Sequence, residues 1–393
     1  MIFYSKRKHL VLFDGISFNG GSKVATQNII SQLKISKENI HIVTRDPDSW
    51  RNQGLSIHGY SEFKCLEKAE HGMLFYLKHV WIALRVMALI VMLRGRITLM
   101  GASGPGVDMA IYLVKTLLGS PVIQLVHGPV AKSKTICRCF CLADQVLYLP
   151  STLDSIRTSL STQLRENEVN MEVQRSAYQT MNNGISDAQW PSKTKNKFDA
   201  PHVFWAASLL RWKGINVLAG ALSRFNQDIT PPTTLCYINP NTTNHEISTL
   251  PLHIHRLELY ENPENLDKLR AQCNIFISTS KKEPFGLSIL EAMAAGLCIV
   301  IPRDGAFWDK ILKDGVDCIK YAPNDSVDLY AKLLYLQKNI GEAKTLSEKS
   351  VLIAQNYRAE ETYKPILFNM NKLVMGTESS HSYRTKDRCD QHV

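Results

Sequence analysis

Short apolar runs alternate with helix-like segments along most of the chain. In the first half the strand-like runs are HLVLFDG, IHIVT, RITLMG, VIQLVHG and QVLYLP, and helices are predicted at 22–34, 74–93 and 107–118. The alternation restarts with VFWAAS, TTLCYIN, HRLELY, NIFISTS, CIVIPR and CIKYAP, with helices at 215–225, 287–295, 327–336 and 363–373. This pattern is typical of parallel sheets covered by helices on both faces.

Breaks in the pattern divide the chain into domains. We predict an α/β fold with two Rossmann-like, doubly wound domains, at 1–190 and 201–345, joined by a charged, proline-bounded linker at 191–200. Helices at 346–375 follow, and the polar, aperiodic residues 376–393 are predicted to form a disordered tail. Ligand-binding loops lie at the carboxyl ends of the strands in such domains, so two in tandem can face each other across a cleft.

The net charge of +10 is concentrated in the first half of the chain. Residues 1–199 contain 24 Lys and Arg against 15 Asp and Glu, whereas residues 200–393 contain 22 against 21. A basic surface attracts anionic partners, namely phosphorylated substrates, acidic lipids or nucleic acid. The basic residues are scattered and lack interleaved aromatic residues, so we do not expect a nucleic-acid partner.

The segment 74–93 is almost wholly apolar but contains Lys78 and Arg85, seven residues apart on one helical face. A helix that spans a bilayer needs about 20 apolar residues, and Arg85 would lie near the middle of it at a high energetic cost. We therefore expect this helix not to span a membrane. It fits either a buried helix of the first domain or a helix whose basic stripe meets lipid headgroups, and different faces could do both.

The N-terminus lacks the order of regions found in a signal peptide, so the expected location is the cytoplasm, with a possible peripheral association at the cytoplasmic face of a membrane. The nine cysteines complete no zinc-binding set, and reduced, mostly buried thiols are expected. Asp46 and Asp48 in a DPD sequence are interpreted as a turn. No metal site and no cofactor are predicted.

The run KKEPFGLSILEAMAAG holds the most informative chemistry. Gly286 lets the backbone approach a ligand, and the amides of Phe285, Gly286, Leu287 and Ser288 lie at a predicted helix N-terminus, which favours anions. Glu291 is placed to accept two vicinal hydroxyls, such as those of a ribose, and Glu283 could accept hydroxyls of a sugar over the loop. Taken singly, Glu283 is better explained as a helix-end carboxylate and Glu291 as a solvated helix residue.

Glu283 and Glu291, eight residues apart, resemble the paired-glutamate signature of retaining GT-B glycosyltransferases, and the surrounding letters resemble glycosyltransferase family 4 (glycosyl transferases group 1). Further matches follow in the family's order and extend the resemblance over about residues 9–373. They are the glycine pair Gly20 and Gly21 before the first helix, His127 at the end of a strand, and Lys213 followed by Gly214.

The resemblance implies a GT-B fold and transfer of a sugar, with retention, from a nucleotide diphosphate donor to a glycan or lipid-linked acceptor in polysaccharide biosynthesis. Glu283, His127 and Lys213 are then expected at the reacting centre, and Gly20, Gly21, the amides of 285–288 and Glu291 around the donor. The family usually has an arginine where this chain has Ser208, and Arg211 is the candidate replacement. The segment GAFWDKILKDG also departs, with Trp308 and Asp309 where the family is glycine-rich and acidic.

Three other readings stay open at this stage. A nucleotide-sugar epimerase or hydrolase of the same architecture differs only in its product. A nicotinamide oxidoreductase is disfavoured because the first strand is followed by DGISFNGGS and not by GxGxxG. A non-catalytic membrane or complex subunit would tolerate loss of the glutamate pair.

Overall fold

Each half of the chain builds one parallel sheet. The computed structural model describes residues 7–51, 53–67, 69–240 and 245–376, and the predicted tail lies outside these residues except for Gly376. The described chain falls into two units. Unit 1 contains the described residues of 1–17, 29–181 and 363–393, and unit 2 contains 18–28 and 182–362.

The sheet of unit 1 has seven parallel strands in the order β3-β2-β1-β4-β5-β6-β7. The strands are β1 (Lys8–Asp14), β2 (Ile40–Thr44), β3 (Ser56–Gly59), β4 (Arg96–Gly101), β5 (Val122–Val126), β6 (Gln145–Tyr148) and β7 (Tyr178–Thr180). The helices are α1 (Gly21–Ser31, which begins in unit 2), α2 (Lys64–Glu67), α3 (Gly72–Leu93), α4 (Met109–Leu118), α5 (Lys134–Leu142), α6 (Leu153–Leu160) and α7 (Glu166–Val173).

The sheet of unit 2 has six parallel strands in the order β10-β9-β8-β11-β12-β13. The strands are β8 (Val203–Ser208), β9 (Thr233–Ile238), β10 (Leu257–Glu261), β11 (Ile275–Ile277), β12 (Cys298–Pro302) and β13 (Ile319–Tyr321). The helices are α8 (Ile215–Leu222), α9 (Leu266–Arg270), α10 (Leu287–Ala295), α11 (Phe307–Ile311), α12 (Ser326–Lys338), α13 (Ile340–Ala354) and α14 (Ala359–Thr362), and α15 (Lys364–Met375) returns to unit 1.

Both sheets are buried on two faces, which explains the nearly continuous apolar runs in the sequence. Leu10, Val11 and Leu12 in β1 are fully buried, and so are Cys298, Ile299 and Val300 in β12. Both sheets also share the strand order of a doubly wound fold, in which the order reverses beside the first strand. The predicted α/β fold of two Rossmann-like domains is confirmed.

The apolar helix α3 is buried along one face only. His79, Ile82, Ala83, Val86 and Leu89 are buried within unit 1, whereas the exposed large apolar side chains are those of Met73, Leu74, Tyr76, Leu77, Val80, Leu84, Val91 and Met92. The helix is long and apolar enough to cross a membrane by length and composition, but only 22% of its most apolar window is buried in the protein. One face of this helix is therefore buried, as the first interpretation predicts, and contact of the other face with lipid headgroups stays a prediction.

The segment predicted as a linker is attached to unit 2 by backbone hydrogen bonds. The amide of Thr194 donates to the carbonyl of Ala295 over 2.7 Å, and the amide of Lys195 donates to the carbonyl of Ala271 over 2.8 Å. These bonds join the segment to the C-terminal ends of α10 and α9.

Candidate functional site

An open pocket of about 990 Å³ lies in unit 2 where the strand order of its sheet reverses. The carboxyl ends of β8 and β9 form its floor, and the N-terminus of α10 forms one wall. The lining residues are Asn19, Gly20, Gly21, Val24, Ala206, Ala207, Ser208, Lys213, Cys236, Tyr237, Ile238, Asn262, Pro263, Leu266, Glu283, Gly286, Leu287, Ser288 and Glu291. Such a switch point is where doubly wound sheets bind their ligands.

Gly286 gives the pocket its backbone wall. Its φ is +84°, and a Cβ at this position would lie 2.9 Å from Ile289 Cδ1 and 3.0 Å from Glu283 Cγ. Only glycine fits both the left-handed backbone and the space. The amides of Leu287 and Ser288 begin α10 at this point, so the positive end of the helix dipole lines the pocket.

Trp308 packs against the loop that contains Gly286 and bonds to its backbone. Its indole Nε1–H donates to the carbonyl oxygen of Gly286 over 3.1 Å, and the ring is buried. Phe285, Phe307 and Tyr357 pack around it with ring centroids 4.9–5.3 Å away. Trp308, at which this chain departs from the family pattern, thus stabilises the loop at Gly286.

Asp309, the next residue at which this chain departs from the family pattern, has an ionic and a hydrogen-bond partner within unit 2. Its carboxylate lies 2.7 Å from Lys320 Nζ and accepts the amide of Gly305 over 2.7 Å. Burial opposes ionisation of Asp309, but Lys320 and the Gly305 amide outweigh it and hold the pKa of this carboxyl below its ordinary value.

Lys213 and Glu283 meet inside the pocket. Lys213 Nζ donates to Glu283 Oε2 over 2.6 Å, and the two side chains are only 16% and 15% exposed. The ammonium also lies 4.0 Å from the centroid of the Trp212 ring, a cation–π distance. The structure thus brings together two of the predicted catalytic residues, 70 positions apart in sequence, as one ion pair.

The loop that carries Lys213 is fixed to the end of β11. Gly214 has a φ of +71°, and a Cβ there would lie 2.2 Å from the carbonyl oxygen of Thr279. The Thr279 hydroxyl donates to the carbonyl of Lys213 over 2.7 Å and accepts the Trp205 indole N–H over 2.9 Å. Any residue larger than glycine at position 214 would force the Lys213 loop out of place.

Glu291 lines the pocket and has a cationic partner. Arg270 Nη2 donates to Glu291 Oε2 over 2.5 Å, and Arg270 Nη1 lies 3.1 Å from Asp267 Oδ1. The Arg270 side chain is 5% exposed and that of Glu291 is 22% exposed. A carboxylate has about four lone-pair positions, so Glu291 can still accept two ligand hydroxyls.

Arg211 lies outside the lining of the pocket. Ser208, which stands where the family has arginine, lines the pocket at the end of β8. The Arg211 guanidinium lies 2.5 Å from Glu246 Oε2, and both side chains are 70% exposed. The role predicted for Arg211 as a second phosphate-binding cation stays a prediction, and it requires this surface pair to separate.

The other predicted site residues are distributed as follows. Gly20 and Gly21 line the same pocket of unit 2 immediately before α1. The Phe285 side chain is 3% exposed and packs in the aromatic group, away from the pocket. His127 belongs to unit 1, where it directly follows β5 and is 8% exposed. Among the described residues, no three His, Cys, Asp or Glu side chains come together in a way that could hold a metal ion.

Sequence reasoning missed Arg270, Trp212 and Trp308 as parts of this site. Arg270 stands in LDKLRAQCNIFIS, where its spacing of three from Asp267 is the one visible signal of an ion pair on a helix. The contact with Glu291, 21 residues further on, has no local signal.

The two doubly wound parallel-sheet units have the architecture of the GT-B fold, and a lysine, two glutamates and a helix N-terminus line the pocket of the second unit. Residues 187–350 match the model of the family described as glycosyl transferases group 1. This match covers the pocket except for the segment around Gly20 and Gly21. The second half of the chain is therefore similar to this family over residues 187–350.

Solved structures resemble 93–94% of the chain. The Anabaena protein Alr3699/HepE in complex with UDP-glucose has a TM-score of 0.71 at 15% identity, over 93% of this chain and 100% of that one. Sucrose-phosphate synthase from Thermosynechococcus elongatus has a TM-score of 0.62 at 14% identity, over 93% and 98%. The catalytic domain of starch synthase IV from Arabidopsis thaliana, bound to ADP and acarbose, has a TM-score of 0.61 at 11% identity, over 94% and 99%. No curated protein sequence matches the chain.

Proposed function

We propose that the protein is a retaining glycosyltransferase that moves a sugar from a nucleotide diphosphate donor to a glycan or lipid-linked acceptor in polysaccharide biosynthesis. The observation that carries this proposal is the meeting of Lys213, Glu283 and the N-terminus of α10 in one pocket, with Glu291 on its wall. The UDP-glucose bound to the Anabaena protein of the same fold supports the choice of donor class.

Each group has a distinct task in this proposal. Lys213 and the first amides of α10 stabilise the negative charge that develops on the leaving diphosphate, and electrostatic stabilisation of this kind is often the largest catalytic contribution. Glu291 accepts the ribose hydroxyls, and Glu283 accepts hydroxyls of the transferred sugar. The role proposed for His127, at the end of β5, is contact with the donor sugar.

Retention follows from the roles assigned to the carboxylates. Glu283 is held by Lys213 as a binding group, so we assign no nucleophile to the reacting face. The acceptor hydroxyl then attacks the anomeric carbon from the side on which the diphosphate leaves, through a state with oxocarbenium character. The bond from the anomeric carbon to the diphosphate breaks, and the hydroxyl proton passes to the leaving diphosphate oxygen. An arrangement of this kind gives a product with the anomeric configuration of the donor.

The first experiment is a thermal-shift screen of the full chain against UDP-, ADP- and GDP-sugars. A ligand at 100 times its dissociation constant stabilises the folded state by about 2.7 kcal/mol. The sugar that stabilises is then incubated with candidate acceptors, and the anomeric configuration of the product is read by proton NMR. Release of free sugar or a changed donor sugar would identify a hydrolase or an epimerase, and an inverted linkage would contradict retention.

We further propose that the protein acts at the cytoplasmic face of a membrane, with α3 against anionic lipid. Met73, Leu77, Val80, Leu84 and Val91 recur at helical spacing and are all exposed, so they form one apolar stripe along the helix. An exposed apolar surface of this length marks an interaction site. Arg85 is exposed beside it with its guanidinium 4.8 Å from the Trp81 ring, and Arg94 and Arg96 end the segment.

The basic stripe predicted from the sequence is shorter in the structure. Lys78 is partly buried, and burial lowers the pKa of its ammonium. Arg85, Arg94 and Arg96 are the basic residues of this segment that remain exposed to headgroups.

Liposome flotation tests the membrane proposal. Vesicles with anionic lipid should carry the protein upward, less so at high salt, and the double variant Val80→Asp, Leu84→Asp should stay below. Phe368→Asp, at an apolar residue of α15 that is more exposed than Val80 and Leu84, is the control and should float. If flotation depends neither on lipid charge nor on the double substitution, the proposed surface is wrong.

A further inference from the structure

Arg270 is a buried arginine whose guanidinium joins two carboxylates behind the pocket. Nη2 bonds to Glu291 at 2.5 Å and Nη1 bonds to Asp267 at 3.1 Å, so the two ends of the planar group are used on different partners. The side chain is 5% exposed, whereas Asp267 is 44% exposed at the surface of the same helix. The arginine therefore connects an anchored surface residue to a residue of the pocket wall.

Asp267 is itself held by the backbone. Both of its carboxylate oxygens accept the amide of Ser192 at 3.2 Å. This fixes Asp267, and through it Arg270, relative to the start of the 191–200 segment, whose next residues bond to the ends of α9 and α10. The guanidinium thus has a rigid support on the side away from Glu291.

We propose that Arg270 is a positioning residue that fixes the Glu291 carboxylate for a vicinal diol, and so makes the pocket selective for a ribose over a deoxyribose. This inference rests on the proposed role of Glu291 in binding the donor. Glu291 is a long side chain with three rotatable bonds, and a free one would lose rotamer entropy each time it bound two hydroxyls. The bond from Arg270 to one carboxylate oxygen restricts that motion before the ligand arrives.

The geometry also leaves one side of the Glu291 carboxylate to the ligand. Arg270 bonds to Oε2 at 2.5 Å, and a charged acceptor makes hydrogen bonds to hydroxyls that are stronger than those of a neutral group. Lysine at position 270 would carry the charge but could not span both carboxylates with a fixed fork. Arg270→Lys should accordingly restore part of what Arg270→Met loses.

The test measures binding of UDP, 2′-deoxy-UDP and 3′-deoxy-UDP to the full chain by calorimetry. The parent should bind each deoxy analogue about 10-fold or more weakly than UDP, because each loses a hydrogen bond to a charged group. Arg270→Met should bind UDP about as weakly as the analogues, with discrimination reduced to about twofold or less, and Arg270→Lys should fall between. Arg303→Met, which breaks the exposed Arg303–Asp314 pair of 2.5 Å, is the matched control and should discriminate as the parent does.

Asp267→Asn provides a second measurement that leaves Arg270 in place, and should lower the discrimination less than Arg270→Met does. The proposal is overturned if the Arg270 variants keep the discrimination of the parent, or if they weaken UDP and both analogues by one common factor, as a purely structural residue would. Glu291→Ala distinguishes a failure of the role proposed for Arg270 from a failure of the ribose contact proposed for Glu291. If Glu291→Ala loses the discrimination and the Arg270 variants keep it, only the role of Arg270 fails. If Glu291→Ala also keeps it, or the parent binds no UDP, ADP or GDP, the proposed ribose contact fails as well.

Discussion

Lys213 and Glu283 neutralise each other in the structure, although the proposed reaction uses each of them on the donor. Their 2.6 Å contact is largely shielded from water, so its Coulomb energy is not strongly screened. In the proposed reaction, a diphosphate that binds near Lys213 competes with Glu283 for the ammonium and releases the carboxylate to the sugar. The ion pair therefore keeps both side chains in the pocket where the donor is proposed to bind, but it must separate before either side chain can contact the donor.

This competition makes Glu283→Gln an informative variant. The amide keeps the shape but removes the charge that holds Lys213, so binding of UDP should be as tight as in the parent or tighter. Turnover should fall about 100-fold or more, because the sugar loses a charged acceptor in the transition state. Calorimetry with UDP and steady-state kinetics measure the two effects separately.

Lys213→Ala should weaken UDP and abolish turnover together, since it removes the cation itself. The proposed exchange of partners would be wrong if Glu283→Gln weakened UDP by more than about threefold while turnover stayed near that of the parent.

Arg211 supports a second prediction at this scale. If it supplies the cation missing at Ser208, Arg211→Ala should lower kcat/KM by roughly 100-fold, since each 1.4 kcal/mol of lost stabilisation is tenfold. Glu246→Ala keeps Arg211 and removes its 2.5 Å surface partner, so it should leave kcat/KM unchanged or raise it. A value for Arg211→Ala within about threefold of the parent would show that Lys213 works without it.

Individual site residues could be predicted from the sequence only where a short motif contains them. Glu283, Gly286 and Glu291 lie in one run, so a loop and the first turns of a helix bring them together. Arg270 reaches Glu291 across two different helices, and Trp308 reaches Gly286 across 22 residues. Contacts of that kind depend on packing between elements, which local spacing does not encode.

At the scale of elements, three adjacent strands of unit 1 carry a row of histidines. His9 Nδ1 lies 3.1 Å from His41 Nε2, and His41 Nδ1 lies 3.4 Å from His58 Nε2. Burial lowers the pKa of His41 to about 4, with the neighbouring histidines adding to the effect, and burial also lowers the pKa of His9 and of His58. The row is thus neutral when β1, β2 and β3 are paired.

The lowered pKa values predict that acid destabilises unit 1. As the pH falls below about 6.5, the unfolded chain takes up protons on these histidines before the folded chain does. The contribution of these neutral histidines to the free energy of unfolding is fully present above that pH, and it is lost as the pH falls towards 4. The melting temperature should fall between pH 7 and pH 5, and His41→Gln should make that fall smaller.

Calorimetric melting at both pH values checks this. His255→Gln, at an exposed histidine of unit 2, should leave the pH dependence as it is in the parent. Part of the dependence should survive in His41→Gln because burial also lowers the pKa of His79, to about 3. An equal fall in parent and His41→Gln would contradict the assignment.

The elements themselves were largely predictable because their burial is uniform. Strands such as Cys298–Pro302 are buried at every position and therefore appear as unbroken apolar runs, and the glycines at 286 and 296 bound α10 at its predicted ends. The exposed stripe of α3 could not be predicted, because its apolar residues continue around the helix and periodicity alone does not separate a face that packs from one that does not.

At the scale of the whole molecule, the proposed binding tasks fall mainly on one unit. Lys213, Glu283, Glu291 and the start of α10 all belong to unit 2, together with Gly20 and Gly21. His127 and the apolar stripe of α3 belong to unit 1. The residues proposed to bind the donor diphosphate and ribose therefore all belong to unit 2.

The positive groups that line the pocket of unit 2 lead to the last prediction, that transfer needs no divalent metal. A diphosphate leaving group must be neutralised by a metal ion or by fixed positive groups of the protein. In unit 2 the fixed groups are present, since Lys213 and the N-terminus of α10 line one pocket. Among the described residues no His, Cys, Asp or Glu cluster offers the ligands for a metal. Initial rates with the sugar nucleotide found in the thermal-shift screen should therefore agree, within about twofold, in EDTA and in magnesium or manganese. A rate that collapses in EDTA and recovers with manganese would show that the fixed groups are insufficient and that a metal bridges the diphosphate.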